Sequence, residues 1–488
     1  MATERLTRPL LGLALGFAIA TVVANAVPED PLTRLPVIVR PPPGVFSLVV
    51  PSNIFNQPRE KNEFRAFFVG ASETAAFPYE PPAQGSYGYY LGAGYRAATG
   101  RGDIHIRSEG AAGLDSEQLC IQARKLLEYG DPSVIVLVIG ANEFANRICR
   151  GKPLLPDDLL GRTTAMAGAP RVLFDRLDAA LDLSSGGAAG NVAGFLDLMR
   201  DAMPGRPALA GLPIGNRDRR LLMQRLYDQI ASLHRDCKAQ GTQLCLALSM
   251  HGLDGAPPWC SEVRPGPKEA DALCKRTFKD PSSVELAEID VWLAQLPDRA
   301  DLHHARARVL RRLGRAAEAV EEFNAALDLD LAPLHQTGEV RATLRQAATD
   351  LGLTLIDFND GFKDQHGLTG PDGFLDYAHP DAVGHRKLAR WLAREHQGKL
   401  LPKLPAGWEK AFDKGVSDWS KQTTPESAKL APARMWLNVA RFYLVFGNFR
   451  EALPLLEAAA PVLQGTSHDK DLAIDLEFCR AALAKAGR

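Results

Sequence analysis

The sequence lacks an excess of charge of either sign. It carries 57 lysine and arginine residues against 58 aspartate and glutamate residues, which gives a formal net charge of -1 at pH 7. A chain with this balance has no overall field that would attract nucleic acid or anionic lipid. Aromatic residues make up only 7% of the chain, and they form no stripe interleaved with basic residues. A nucleic-acid partner is therefore not expected.

Cysteine is also scarce, because the 488 residues contain only seven. None of them has the paired spacing of a zinc site, so we expect no metal and no other cofactor. Cys260 and Cys274 bracket the loop "CSEVRPGPKEADALC" and form the candidate disulfide. An odd number of cysteines leaves at least one thiol unpaired within the chain.

The sequence has one long uncharged apolar run, "LLGLALGFAIATVVANAV", which follows Arg5 and Arg8. A basic flank before an apolar run predicts export. The run is long enough for a retained anchor with the body on the extracytoplasmic side. The "ANA" at its end also resembles a cleavage site, which would leave the protein periplasmic or secreted. Residues 1–27 are thus expected to be a signal peptide or membrane anchor, and a Pro-rich tether is expected over 28–62.

The central part of the chain alternates short apolar runs with amphipathic stretches. This alternation predicts an α/β fold, a three-layer α/β/α sandwich around a parallel sheet, divided between residues 63–285 and 333–400. Residues 156–214 are rich in Gly and Ala and are expected to form an insertion. The predicted strands are "RAFFVGAS", "DIHIRSEG", "SVIVLVIGAN", "QLCLALSM" and "LTLIDFN".

Two further segments, residues 286–332 and 401–488, carry helical patterns with regularly spaced small and aromatic residues. The spacing is similar to that of tetratricopeptide repeats, although any Ala-rich helical hairpin can show it. We expect a helical insert and a C-terminal helical region that pack on the α/β body and offer a surface for a protein partner. The residues at repeat-like offsets are Gly314, Ala319, Phe323 and Ala326, and then Ala440, Tyr443, Gly447, Ala452 and Ala459.

The carboxyl ends of the predicted strands carry a nucleophile and a base. Ser72 follows the first strand in "VGASET", and His379 follows the last strand in "DYAHP". In a parallel sheet these ends share one edge, where active sites lie. A serine hydroxyl attacks an ester when a histidine takes its proton, and a carboxylate orients that histidine. Asp376, three residues before His379, is the candidate for this role, whereas Ser72 taken alone is equally typical of a helix cap.

The same edge offers donors for an oxyanion. The backbone N–H of Ser72, the N–H of a glycine after the second strand and the side-chain amide of Asn142 could serve together. For the glycine, Gly113 and Gly110 both remain candidates. A metal site at Asp376 and His379 is not expected, because no second cluster supplies the remaining ligands.

Taken in order, these blocks resemble the SGNH superfamily of hydrolases, also called the GDSL family. "GAS" with Ser72, "GLDS" with Gly113, "GANE" with Asn142 and "DYAHP" with Asp376 and His379 match its serine, glycine, asparagine and histidine blocks. The residues of the first block are closer to those of exported bacterial members that carry tetratricopeptide repeats than to those of the plant lipases. The resemblance implies a flavodoxin-like sheet and a serine-nucleophile mechanism. Glu73 departs from expectation, because a carboxylate near the oxyanion would be unfavourable unless it points away.

The expected function is therefore that of an SGNH-type esterase or lipase. Its substrate would be a small-molecule, carbohydrate or lipid ester. Two alternatives stay open: an O-acyltransferase or deacetylase acting on cell-envelope carbohydrate, and a non-catalytic repeat-bearing interaction protein.

Overall fold

The computed structural model describes the α/β body, the helical insert and most of the C-terminal helices. The described residues are 59–77, 85–110, 114–144, 216–255, 258, 261, 267–331, 333, 336–364, 368–370, 372–375, 378–421, 429–437, 440, 449–466 and 468–486. The predicted signal or anchor, the tether up to residue 58 and the Gly/Ala-rich insertion lie outside them. Among the described residues, no helix combines the length and the apolar composition needed to cross a membrane.

Five strands form one parallel sheet in the order β2-β1-β3-β4-β5. This arrangement confirms the predicted α/β fold. The order is flavodoxin-like, because the first strand lies inside the sheet and the chain winds outward from it in both directions. The strands are β1 Phe64–Gly70, β2 Ile104–Gly110, β3 Val134–Val138, β4 Gln243–Leu248 and β5 Thr354–Asp357.

Helices cover both faces of this sheet and extend beyond it. They are α1 Tyr87–Thr99, α2 Ser116–Gly130, α3 Asn216–Ala239, α4 Lys268–Lys279, α5 Leu286–Gln295, α6 Ala300–Arg312, α7 Ala316–Leu329, α8 Gly338–Leu351, α9 Ala382–His396, α10 Glu409–Ser420, α11 Phe449–Leu463 and α12 Asp469–Ala486.

The strands are apolar on both faces because helices bury both. In β3 all five residues are buried, as expected for an inner parallel strand. On one face Phe68 meets the ring of Tyr87 from α1 edge-on, with centroids 5.3 Å apart, and α9 and α10 complete the layer. On the other face α2, α3 and α8 pack against the sheet and against one another.

The helical insert, predicted over residues 286–332, contains α5, α6 and α7, of which α6 and α7 form an antiparallel pair, and the preceding α4 packs against α6. The expectation of added helical regions is confirmed, whereas the repeat assignment and the domain boundaries remain predictions. One side chain differs from its expected place. Surface exposure is the simplest expectation for His304, but it is only 4% exposed, with the ring of Phe323 5.3 Å away. Burial lowers the pKa of His304 to about 4, so it is a neutral core residue.

The C-terminal helices α11 and α12 have an apolar cluster of their own. Ala452, Leu456 and Leu463 of α11 pack with Leu472 and Cys479 of α12. This region is therefore stabilised by its own core, as expected for an added helical unit.

The candidate disulfide stays a prediction. Cys274 carries a free thiol in this structure, and Cys260 lies outside the described residues. Burial raises the pKa of the Cys274 thiol well above its ordinary value, which keeps it protonated and unreactive.

Candidate active site

Ser72 lies in a tight turn directly after β1. The turn is closed by the amide of Ala75, which donates to Ala71 O at 2.9 Å, and by the amide of Phe77, which donates to Ser72 O at 2.9 Å. Gly70 is required here, because a Cβ at this position would lie 2.1 Å from Thr74 Oγ1. The chain can therefore fold back over the end of the strand and leave Ser72 at the carboxyl edge of the sheet.

His379 comes from the loop before α9. Backbone hydrogen bonds hold this loop: the amide of Leu375 donates to His379 O at 2.7 Å, and the amide of Asp381 donates to Gly373 O at 2.8 Å. Asp381 then caps α9 by accepting from the amide of Gly384 at 2.7 Å. The imidazole of His379 is thus presented from a fixed point at the start of a helix.

The structure brings Ser72 and His379 together. Ser72 Oγ lies 2.8 Å from His379 Nε2, within hydrogen-bond distance. His379 is only 3% exposed, and the ring of Phe77 packs beside it with centroids 5.7 Å apart. In the tautomer with an unprotonated Nε2, the ring accepts the hydroxyl proton, which is the geometry of a serine nucleophile and its base. Asp376 lies outside the described residues, so its orienting role remains a prediction.

Asn142 follows β3 and faces the loop after β2. Its Nδ2 donates to Leu114 O at 2.9 Å. A side-chain amide has two N–H donors, so this bond leaves the second N–H for another acceptor. The structure thus fixes the Asn142 amide without using up its donor capacity.

Of the two candidate glycines, Gly110 is described and Gly113 is not. Gly110 pairs in register with Gly70 of β1. A Cβ on Gly110 would lie 2.7 Å from Ala75 N and 2.9 Å from Ala71 O. The end of β2 therefore approaches the Ser72 turn closely, and only glycine allows that approach. The choice between Gly110 and Gly113 as donor stays open.

Glu143 and Ser116 form a pair that joins these loops, and the sequence blocks alone did not predict it. The carboxylate of Glu143 accepts from Ser116 N at 2.9 Å and from Ser116 Oγ at 2.8 Å. Ser116 begins α2, whose N-terminal amides favour a carboxylate. With the Asn142–Leu114 bond, this pair links the loops after β2 and β3 at two points. A signal was present in the sequence, since Glu143 adjoins Asn142 and Ser116 closes the "GLDS" block.

The loop after β3 is also supported from behind by the start of α8. The side-chain amide of Gln336 donates to Ile139 O. Gly140 adopts a φ of +100° and would place a Cβ 2.5 Å from Val340 Cγ1. Both features fix the backbone two residues before Asn142, so packing determines the direction of its side chain.

Glu73 points away from the nucleophile and into the protein. Its carboxylate accepts from Ser249 Oγ at 3.3 Å, and Ser249 directly follows β4. Burial raises the pKa of Glu73, while the nearby His379 and the hydrogen bond from Ser249 partly offset that rise. This orientation keeps the carboxylate away from the expected oxyanion, because the carboxylate lies beneath the site and accepts from Ser249.

No group of three or more metal-ligating side chains occurs among the residues that the structure describes.

Comparison with known proteins gives distant structural matches only. No protein-family model and no curated protein sequence matches the chain. Among solved structures, a GDSL-like lipase from Bacteroides thetaiotaomicron is similar at 11% identity and a TM-score of 0.29, covering 69% of this chain and 90% of its own.

An acetylxylan esterase from Geobacillus stearothermophilus is similar at 11% identity and a TM-score of 0.32, covering 71% of this chain and 99% of its own. The acetyl xylan esterase AlAXEase is similar at 10% identity and a TM-score of 0.31, covering 68% and 99%. At these low TM-scores the likeness carries no argument about function, so the functional assignment rests on the geometry of the site.

Proposed function

We propose that the protein is a serine hydrolase that cleaves ester bonds, with Ser72 as nucleophile and His379 as base. The observation that supports this most directly is the 2.8 Å contact between Ser72 Oγ and His379 Nε2. These residues come from opposite ends of the α/β body and meet at the carboxyl edge of the sheet. A hydroxyl in contact with a buried imidazole at this edge has the arrangement needed for acyl transfer.

In the first half of the reaction, Ser72 Oγ attacks the ester carbonyl carbon and its proton passes to His379 Nε2. The tetrahedral intermediate collapses, the bond to the alcohol oxygen breaks, and His379 gives its proton to that oxygen. An acyl-enzyme on Ser72 remains. Asp376 is proposed to hold the tautomer of His379 that makes both transfers possible.

The negative charge on the carbonyl oxygen needs preorganised donors. The N–H of Ser72, the N–H of Gly113 or Gly110, and the free N–H of Asn142 are proposed to supply them. The links between Asn142 and Leu114 and between Glu143 and Ser116 would keep these donors fixed during reaction. Loss of one such donor typically costs about 3 kcal/mol in the barrier.

In the second half, water attacks the acyl carbon and gives a proton to His379. The bond to Ser72 Oγ breaks, the acid leaves, and the proton returns to the serine oxygen. Atoms and charges balance over the cycle, which consumes one ester and one water and releases one acid and one alcohol.

The test is the substitution Ser72→Ala, assayed with p-nitrophenyl acetate and with a fluorophosphonate probe. We expect kcat to fall by on the order of 10⁴-fold or more, because the nucleophile is lost. Probe labelling should also disappear, while the thermal unfolding temperature stays close to that of the wild type. Ser283→Ala is the matched control, because its exposed hydroxyl donates to Asp280 O within its own turn.

Hydrolysis by Ser72→Ala at the wild-type rate would refute the assignment. Absence of both turnover and labelling in the folded wild-type chain would instead favour a non-catalytic interaction protein. Product analysis with a sugar acceptor would separate hydrolysis from acyl transfer to cell-envelope carbohydrate.

We also propose that residues 1–27 export the protein, as a cleaved signal or as an anchor that leaves the body extracytoplasmic, and that the repeat-like helices offer a surface to a protein partner. Cell fractionation and the mass of the mature chain test the first proposal, and the oligomeric state and partners captured by the purified full chain test the second.

A further inference from the structure

The buried carboxylate of Glu73 is fixed beneath the Ser72–His379 pair. Glu73 is 3% exposed and Ser249 is 1% exposed, and the hydroxyl of Ser249 donates to the carboxylate. Glu73 directly follows Ser72 in the turn, and its carboxylate interacts electrostatically with His379. A buried carboxylate is costly to keep, and this one is held by the hydroxyl of Ser249 and by backbone hydrogen bonds at Glu73 and Ala71.

A second set of hydrogen bonds holds Ser249 in place. Asn359 Nδ2 donates to Ser249 O at 3.0 Å and to Asp357 Oδ1 at 2.8 Å. The amide of His251 donates to Asn359 Oδ1 at 2.9 Å. The donor to Glu73 is thus positioned by the ends of β4 and β5, so the carboxylate cannot turn toward the oxyanion.

Several titratable groups among the described residues face Glu73 and His379. Glu73 interacts electrostatically with His379 and with the hydroxyl of Tyr87 on α1. Burial raises the pKa of Tyr87 well above its ordinary value, so that hydroxyl is neutral. His385 on α9 also faces His379, and burial lowers the pKa of His385 to about 3, so it carries no opposing charge. Asp376 is the carboxylate that the sequence places in the same loop as His379.

We propose that Glu73 is a positioning residue that stabilises the protonated form of His379 from beneath, through a carboxylate held by Ser249. This inference rests on the proposed function. When His379 takes the proton of Ser72 it becomes a cation in a buried site, where a fixed negative charge favours it. Glu73 would share with Asp376 the task of stabilising that cation.

The test compares Glu73→Gln with Glu109→Gln in the full-length chain. Glu109 is also buried, at 6% exposure, but lies at the end of β2, where the groups that face it are Arg107 and Tyr89. A carboxylate raises the pH at which a neighbouring histidine loses its proton. Glu73→Gln should therefore move the acid limb of the kcat/KM profile to lower pH by about one unit and lower kcat about tenfold with KM unchanged. Glu109→Gln should leave the acid limb in place.

A readout that does not depend on turnover accompanies the kinetics. An NMR titration with isotope-labelled histidine follows the His379 ring, which is assigned by its loss in His379→Asn. The titration midpoint should move to lower pH in Glu73→Gln, move less in Ser249→Ala, and stay in place in Glu109→Gln. Glu73→Asp, which keeps the charge, should retain most of the wild-type midpoint.

The outcomes separate the inference from the function on which it rests. An active wild-type enzyme whose acid limb and His379 midpoint are unchanged by Glu73→Gln would overturn the inference and leave the esterase assignment intact. An inactive, unlabelled wild type would overturn the function itself, whatever the titration shows. Should Glu73→Gln fail to fold, Ser249→Ala decides, because an unchanged midpoint there would also contradict the inference.

Discussion

The α/β body and the helical insert place their carboxylates in opposite electrostatic settings. In the body, burial raises the pKa of Glu73 and raises the pKa of Glu109 to about 7. In the insert, burial alone would raise the pKa of Glu322, but hydrogen bonds from His303 and Arg306 outweigh it and hold that pKa below its ordinary value. Glu73 and Glu109 thus lose their protons at higher pH than an ordinary glutamate, and Glu322 loses its proton at lower pH.

The contrast follows from how each region is built. The body has a large continuous apolar cluster around the sheet, which leaves little solvation for a buried charge. The insert has two small apolar clusters surrounded by ion pairs, such as Arg306 with Asp290 and Glu322 at 2.7 Å each. The contributions of Glu109 and Glu322 to stability are therefore expected to depend on pH with opposite sign.

The largest expected effect comes from Glu109→Gln in the body. The native pKa of Glu109, about 7, lies above its ordinary value of 4.5, so the folded state binds this proton more tightly than the unfolded state. Its contribution to stability is present below the ordinary pKa and is lost as pH rises through about 7. Glutamine cannot ionise. The free energy of unfolding of the variant, relative to that of the wild type, should therefore be higher at alkaline pH than at acid pH by on the order of 3 kcal/mol.

Denaturant unfolding of Glu109→Gln and wild type on both sides of this range measures the difference. A constant difference across the range would show that Glu109 does not titrate as its burial requires.

A smaller effect of opposite sign is expected for Glu322→Gln in the insert. Glu322 accepts from His303 Nδ1 at 2.6 Å and from Arg306 Nη1 at 2.7 Å. The native pKa of Glu322 lies below its ordinary value of 4.5, so its stabilisation is present above that pH and is lost as pH falls. The hydrogen bond to Glu322 raises the pKa of His303, which strengthens the pair in mildly acid solution.

We expect the Gln variant to lose about 2 kcal/mol in mildly acid solution, because a charged partner is removed from a part-buried pair. Hydrogen exchange of the α6 and α7 amides reports the loss locally. Increased exchange confined to the sheet would contradict the assignment of this pair to the insert.

The smallest effect is expected for a solvent-exposed ion pair between α4 and α5. Glu288 pairs with Arg276 at 2.7 Å, and both side chains are about half exposed. Solvent and salt screen such a pair, so Glu288→Gln should leave the unfolding temperature unchanged within error. A clear decrease would mean that surface pairs, and not only the part-buried ones, stabilise the insert.

The fold could be predicted from the sequence where apolar residues run through a whole strand. Strands such as "VIVLV" are continuous apolar runs, because they are buried on both faces. Helix starts were also readable, since Asp115 and Asp381 cap α2 and α9 by accepting backbone amides. These signals are local, so they can be recognised without knowledge of the tertiary structure.

The site was readable only in part, because its polar residues depend on distant partners. Ser72 and His379 could be singled out because strand ends in a parallel sheet share one edge. The environment of Glu73 could not, since its donor Ser249 lies 176 residues away in the chain. His304 shows the same limit, because only the packing of α6 against α7 reveals that it is buried.

The separation of the nucleophile from its base has a consequence for synthesis of the protein. Ser72 and His379 lie 307 residues apart, and the insert, α8 and β5 come between them. A growing chain therefore presents its serine long before any imidazole can reach it, and the non-local sheet must close first. An unfinished polypeptide that ends before His379 lacks the proposed base, so the proposed activity can appear only when nearly the whole α/β body has been made.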